Sequence, residues 1–140
     1  MDSPQQRTRT LWLCGILHAF THLYHVALMP LYFLIQSDLK LESVEQATVL
    51  VTVMMLAYYL PSYPMGILAD KASRKKLLGW GLAINGLGFV GLASAHTYAS
   101  ALICVALAGF GGSFYHPAAT ALVARLCPAN TGKALGLVAI

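Results

Sequence analysis

The sequence predicts an all-α membrane protein: a helical transmembrane bundle of about four spans with the start of a fifth. Three observations carry this expectation. Hydrophobic residues make up 58% of the 140 and charged residues only 10%, against roughly 45–50% and 25% in soluble domains. No Asp, Glu, Lys or Arg occurs between Arg9 and Asp38, between Glu45 and Asp70, or from Leu77 to Ala124. The basic residues collect at the ends of alternate gaps. A bilayer core ~30 Å thick needs about 20 apolar residues of helix, so the first two gaps hold one span each and the third holds two. Lipid offers no hydrogen-bond partners, so each span must be helical. A soluble bundle would still need polar faces near its helix ends, and runs of this length lack them.

Span one is expected at Thr10–Ile35. It is too long for a signal-peptide core and is not followed by a small-x-small cleavage site, so it is expected to be retained. Span two covers Gln46–Ala69. The polar cluster Ser94, His96, Thr97 and Tyr98 divides the longest gap into span three, Leu77–Ala95, and span four, Ala99–Ala124. Lys133–Ile140 reads as the opening of a fifth. Eight of the nine basic residues then fall on one side: Arg7, Arg9, Lys71, Arg74, Lys75, Lys76, Arg125 and Lys133. Lys40, beside Asp38, Glu42 and Glu45, is the exception. By the positive-inside rule the N-terminus and the 70–76 loop are cytoplasmic. The net charge of +4 is therefore a topology signal, and nucleic acid is not an expected partner. Cys14, Cys104 and Cys127 show no paired spacing and read as small apolar packing residues.

Within the spans, the polar residues are the informative ones. His18, His22 and His25 are spaced i, i+4, i+7 and share a helical face. Ser100, Cys104, Ala108, Gly112 and His116 form an i, i+4 stripe along span four. His18 and His116 each lie about eight residues from the inner end of their span, hence ~12 Å deep at 1.5 Å per residue. The two can meet in one site, with His22 near the midplane. Intramembrane histidines mark ion or substrate pathways and titrate near physiological pH; a plain interhelical hydrogen bond is the alternative. For His25, nearest the outer end, the structural role is preferred. Pro61, Pro64 and Pro117 interrupt their helices, as static kinks or as bending points. Gly79, Gly81, Gly86, Gly88 and Gly91 make span three a thin, closely packed helix. Six tyrosines, Tyr58 and Tyr115 among them, are available to bind substrate, anchor at the interface or pack.

The stretch "GILADKASRKK", Gly66–Lys76, places five charges in seven positions. Lys and Arg suit a short cytoplasmic loop. Asp70 does not, because an acid at a helix C-terminus faces the negative pole of the dipole. It calls for an outside cation or the N-terminus of another helix, and Gly66 one turn earlier permits a close approach.

This segment resembles the loop-two signature of the major facilitator superfamily, G-x-L-a-D-[RK]-x-G-[RK]-[RK], at the position where that family carries it. Ser73 stands in the usual glycine position. The resemblance implies a twelve-span fold of two six-helix halves, of which this chain is expected to be part of the N-terminal half. It also implies that Asp70 caps a helix of the second half and holds the cytoplasmic side closed, with Gly66 as contact glycine and Lys71, Arg74 and Lys75 as its basic companions. "HAFTHLYHVALMPLYF" and "GFGGSFYHPAATA" further resemble the fosmidomycin-resistance branch, proton-driven exporters of the bacterial inner membrane. Span four lacks the arginine motif of many drug/proton antiporters, so that mechanism is not carried over. The expected partners are the bilayer, a small-molecule substrate, protons and the missing C-terminal half. No cofactor is expected. The alternative is a four-helix haem protein with His18 or His22 and His116 as axial ligands; a scaffold without a cavity is weaker. No Ser–His–acid set, CxxC pair, phosphate loop or paired carboxylate points to catalysis.

Overall fold

The computed structural model describes residues 3–138, and among them the chain is helical with no strand. Eight helices run in order: α1 Pro4–Ala27, α2 Tyr32–Asp38, α3 Val44–Tyr59, α4 Ser62–Lys71, α5 Arg74–Ala93, α6 Tyr98–Gly112, α7 Tyr115–Leu126 and α8 Thr131–Leu137. They merge into four membrane-length units: Pro4–Asp38, Val44–Lys71, Arg74–Ala93 and Tyr98–Leu126. The α5 rod alone, 20 residues, is ~30 Å long. α8 opens two residues before the expected start of span five. α1 begins earlier than expected because Ser3 forms a capping box, with Gln6 N–H donating to Ser3 Oγ at 3.2 Å and Ser3 N–H to Gln6 Oε1 at 2.8 Å. Thr97 and Ser100 make the same box at the head of α6, which is why the chain divides there.

Three of the four spans are broken, each shortly before a proline. A proline ring collides with the carbonyl at i−4 and cannot donate to it. Pro64 thus disrupts the turn at Leu60 and Pro117 that at Ser113, whereas α1 runs to Ala27 and turns at Leu28, two residues before Pro30. The break before Pro30, filled by a 3-10 turn over Met29–Leu31, is absent from the sequence expectation. Pro64 and Pro117 themselves sit in the first turns of α4 and α7, where a missing N–H costs nothing. Ser62 Oγ donates to the freed Tyr58 carbonyl at 2.7 Å. α2 ends in a Schellman turn: Leu41 N–H reaches Gln36 O at 2.9 Å, with Lys40 in the left-handed region at φ 51°.

Span four is the hub. α6 packs against α3 and α5, and α7 against α4, α5, α8 and α1. Glycines set this packing, though only on one face of α5. A Cβ on Gly81 would meet Phe114 Cβ at 2.7 Å, one on Gly88 would meet Ala108 Cβ at 2.7 Å, and one on Gly91 would meet Cys104 Sγ at 2.9 Å. Gly79 and Gly86 meet nothing within 4 Å, so the expectation that all five glycines pack is corrected: these two lie on the open side. Three buried clusters result. Leu28, Leu50, Val51, Met54, Ala101 and Val105 hold one end, Ala69, Leu77, Phe114 and Ala118 join α4, α5 and α7, and Cys14, Leu122, Val123, Leu126, Ala134 and Val138 tie α1 and α8 to α7. Outside them, Trp12, Phe33, Trp80 and Ile103 are two-thirds exposed or more. A surface this apolar suits contact with lipid tails.

Candidate functional site

The helix breaks and the glycine packing leave a small cavity at the centre of the four spans, about 30 Å³ and roomy enough for water. Leu17, Thr21, Tyr24 and His25 of α1, Met54 and Tyr58 of α3, Asn85 of α5 and Tyr115 of α7 are among the residues around it. Asn85 Nδ2 donates to Ala108 O at 2.8 Å. Its Oδ1 and the Tyr58 hydroxyl are buried with no hydrogen-bond partner among the described residues. Two orphaned polar atoms on one cavity are costly unless something polar enters. Asn85 is a residue the sequence reading passed over. It is the one amide or acid in span three, and that was the available signal.

Behind Tyr58 and Tyr115 lie the histidines. His18, His22 and His116 come together, with one ligand nitrogen of each within 4.8 Å of the others. The His18 and His116 ring centroids are 5.3 Å apart. His18 is buried, His116 half-buried and His22 exposed. His18 Nδ1 lies 2.9 Å from the Val138 carbonyl. A carbonyl only accepts, so Nδ1 carries the proton and Nε2 keeps its lone pair. His22 Nε2, 2.7 Å from that atom, must then be the donor. Tyr115 stacks on His18 at 5.7 Å and anchors its hydroxyl to Cys14 O at 2.6 Å. His25, for which a structural role is expected, is buried, 4.4 Å from the Tyr58 ring and 6.4 Å from that of His22. The i+7 spacing puts it on the same face, and that face turns inward.

The histidine rings pack on one another and on Tyr115, leaving no slot for a porphyrin. The adjoining cavity of about 30 Å³ is far too small for one. The haem alternative is not favoured.

The loop carrying Asp70 lies at the opposite end of α4 from Pro61. Arg7, Arg74, Lys75 and Arg125 line one cleft there, and Arg9 faces an adjoining groove with Lys75. The basic residues of three segments therefore share one end of the bundle. Ser73 caps α5 in extended geometry at φ −70°, so no glycine is required at that position. Asp70 and Lys71 are exposed, and the Asp70 carboxylate makes no hydrogen bond or ion pair among the described residues. Arg74 Nε is buried and likewise unpartnered among them. Gly66 faces Pro117, where a Cβ would sit at an ordinary 3.9 Å, so no close approach uses this glycine within the described structure.

The sequence profile of the Major Facilitator Superfamily matches residues 11–140. The chain belongs to the Major Facilitator Superfamily. Comparison with curated proteins and with solved structures returned no match. The match reaches the superfamily and no branch within it. As a superfamily member with four membrane-length apolar units, the chain is an integral membrane protein of transporter type.

Proposed function

We propose that the chain is part of the N-terminal half of a twelve-span, proton-coupled exporter of small organic compounds, similar to the fosmidomycin-resistance branch, with its N-terminus and 70–76 loop cytoplasmic. The observation that carries the proton part is the His22–His18 pair, which links an exposed ring to a buried one through a 2.7 Å Nε2···Nε2 hydrogen bond. A proton taken up at His22 Nδ1 lets the His22 Nε2 proton pass to His18 Nε2. The charge then rests on the buried ring, whose Nδ1–H still donates to Val138 O. His22 is left neutral in the other tautomer. No Asp or Glu lies between Arg9 and Asp38, between Glu45 and Asp70 or from Leu77 to Ala124 to compete for this work. His116 completes the pathway, and Pro61, Pro64 and Pro117 set the breaks that give the helices room to bend. Gly66 and Asp70, with Lys71, Arg74 and Lys75, form the gating contact with the second half, since Asp70 is exposed and unpaired here.

The test is proton flux in vesicles holding the complete protein and a trapped pH-sensitive dye, driven by a gradient of fosmidomycin as probe. Flux is expected with the native protein, and Asp70→Asn should slow it without reducing insertion. No flux under any gradient direction would reject proton-coupled export of this compound class. Unchanged flux in Asp70→Asn would reduce the loop to a topology signal.

A further inference from the structure

We propose that His18, His22 and His116 form a binding site for a divalent transition-metal ion of the zinc type. Three features support this. Three imidazoles offer nitrogens within 4.8 Å of one another, two from α1 at i, i+4 and one from α7. The His18 Nδ1–H is fixed on the Val138 carbonyl at 2.9 Å, which aims the Nε2 lone pair into the cluster. An outer hydrogen bond of that kind is how metal-ligating histidines are usually oriented. His22 is exposed, so the site has an open side through which an ion enters and on which a fourth ligand, water or an anion, can bind.

The donor set selects the ion. Imidazole without carboxylate suits zinc, cobalt, nickel or copper over magnesium or calcium. Zinc–imidazole bonds of about 2.0–2.1 Å place tetrahedral nitrogens about 3.3 Å apart. The His18–His22 pair at 2.7 Å must therefore open by about 0.6 Å, which the exposed His22 ring can supply, while any pair near the 4.8 Å limit must close toward the same ~3.3 Å spacing. On binding, His22 changes tautomer, its proton passing through solvent from Nε2 to Nδ1, and the metal takes the place of the shared hydrogen between neutral imidazoles. The occupied site would join α1 to α7 through the metal.

This inference is independent of the transport reading, because its readout is metal binding. The complete protein, purified without a histidine tag and stripped with chelator, is titrated with Co²⁺ and followed by visible absorption, then with Zn²⁺ by calorimetry. One Co²⁺ per chain with the strong absorption bands of a four-coordinate site, displaced by one Zn²⁺, is expected. His22→Ala and His116→Ala should each weaken Zn²⁺ at least tenfold, while His96→Ala, in the exposed 94–97 turn, should leave it unchanged. His22→Gln, which keeps a hydrogen-bond donor but loses the azole ligand, should behave as His22→Ala and guards against a folding defect. Absence of stoichiometric binding by the native protein would overturn the site. So would His22→Gln protein that binds Zn²⁺ as tightly as the native chain.

Discussion

At the scale of single residues, the buried hydroxyl of Tyr58 is the most testable feature. It borders the central cavity with no protein partner among the described residues, and burying such a group costs about 1–3 kcal/mol. Tyr58→Phe is therefore expected to leave thermal stability unchanged or raised while slowing transport of the probe. A clear loss of stability, measured by thermal unfolding in detergent, would show that the hydroxyl is partnered and structural. Residue roles were unevenly legible in the sequence. Depth counting from the span ends brought His18 and His116 together, because 1.5 Å per residue is a firm ruler for a helix. Asn85 was visible as a polar residue in an apolar run, yet its cavity is made by packing among several helices.

At the scale of elements, hydropathy gave the spans, and Pro61, Pro64 and Pro117 marked two of their three interruptions; the one before Pro30 was not expected. The breaks before Pro64 and Pro117 lie near the i−4 carbonyl, while Pro30 sits inside the 3-10 turn that follows the end of α1. Glycine spacing gave a thin α5 without saying which edge was in contact. The structure separates the two edges, and this yields a paired prediction. Gly88→Ala drives a methyl into Ala108 and should destabilise the α5–α6 pair by about 1–3 kcal/mol. Gly86→Ala, with open space around it, should be neutral or stabilising by up to about 1 kcal/mol. Equal effects of the two in an unfolding titration would contradict the packing described.

At the scale of the whole molecule, charge distribution and packing give a consistent topology. Arg7, Arg74, Lys75 and Arg125 line one cleft, while Asp38 and Leu39 border a separate groove with Leu92 and Ala95. Cysteines placed at Ser73 and at Ser43, in a background without the native three, should label from opposite sides of the membrane. Labelling of both by one impermeant reagent from the same side would contradict the four-span arrangement. The superfamily was legible because its signature is a contiguous loop. The histidine cluster has no such local signature, since His116 is distant in sequence from His18 and His22.

The central claim is that His18 and His116 belong to one proton-handling site, and a double-mutant cycle on proton flux tests it most directly. Flux is measured in the dye-loaded vesicles for the native protein, His18→Ala, His116→Ala and the double variant across a range of pH, with His96→Ala as control because His25 lies too close to the cluster. The account predicts that each single variant lowers flux and shifts its pH profile, and that the double loses less than the sum of the singles. Strictly additive losses with an unshifted profile, at equal membrane insertion, would contradict it.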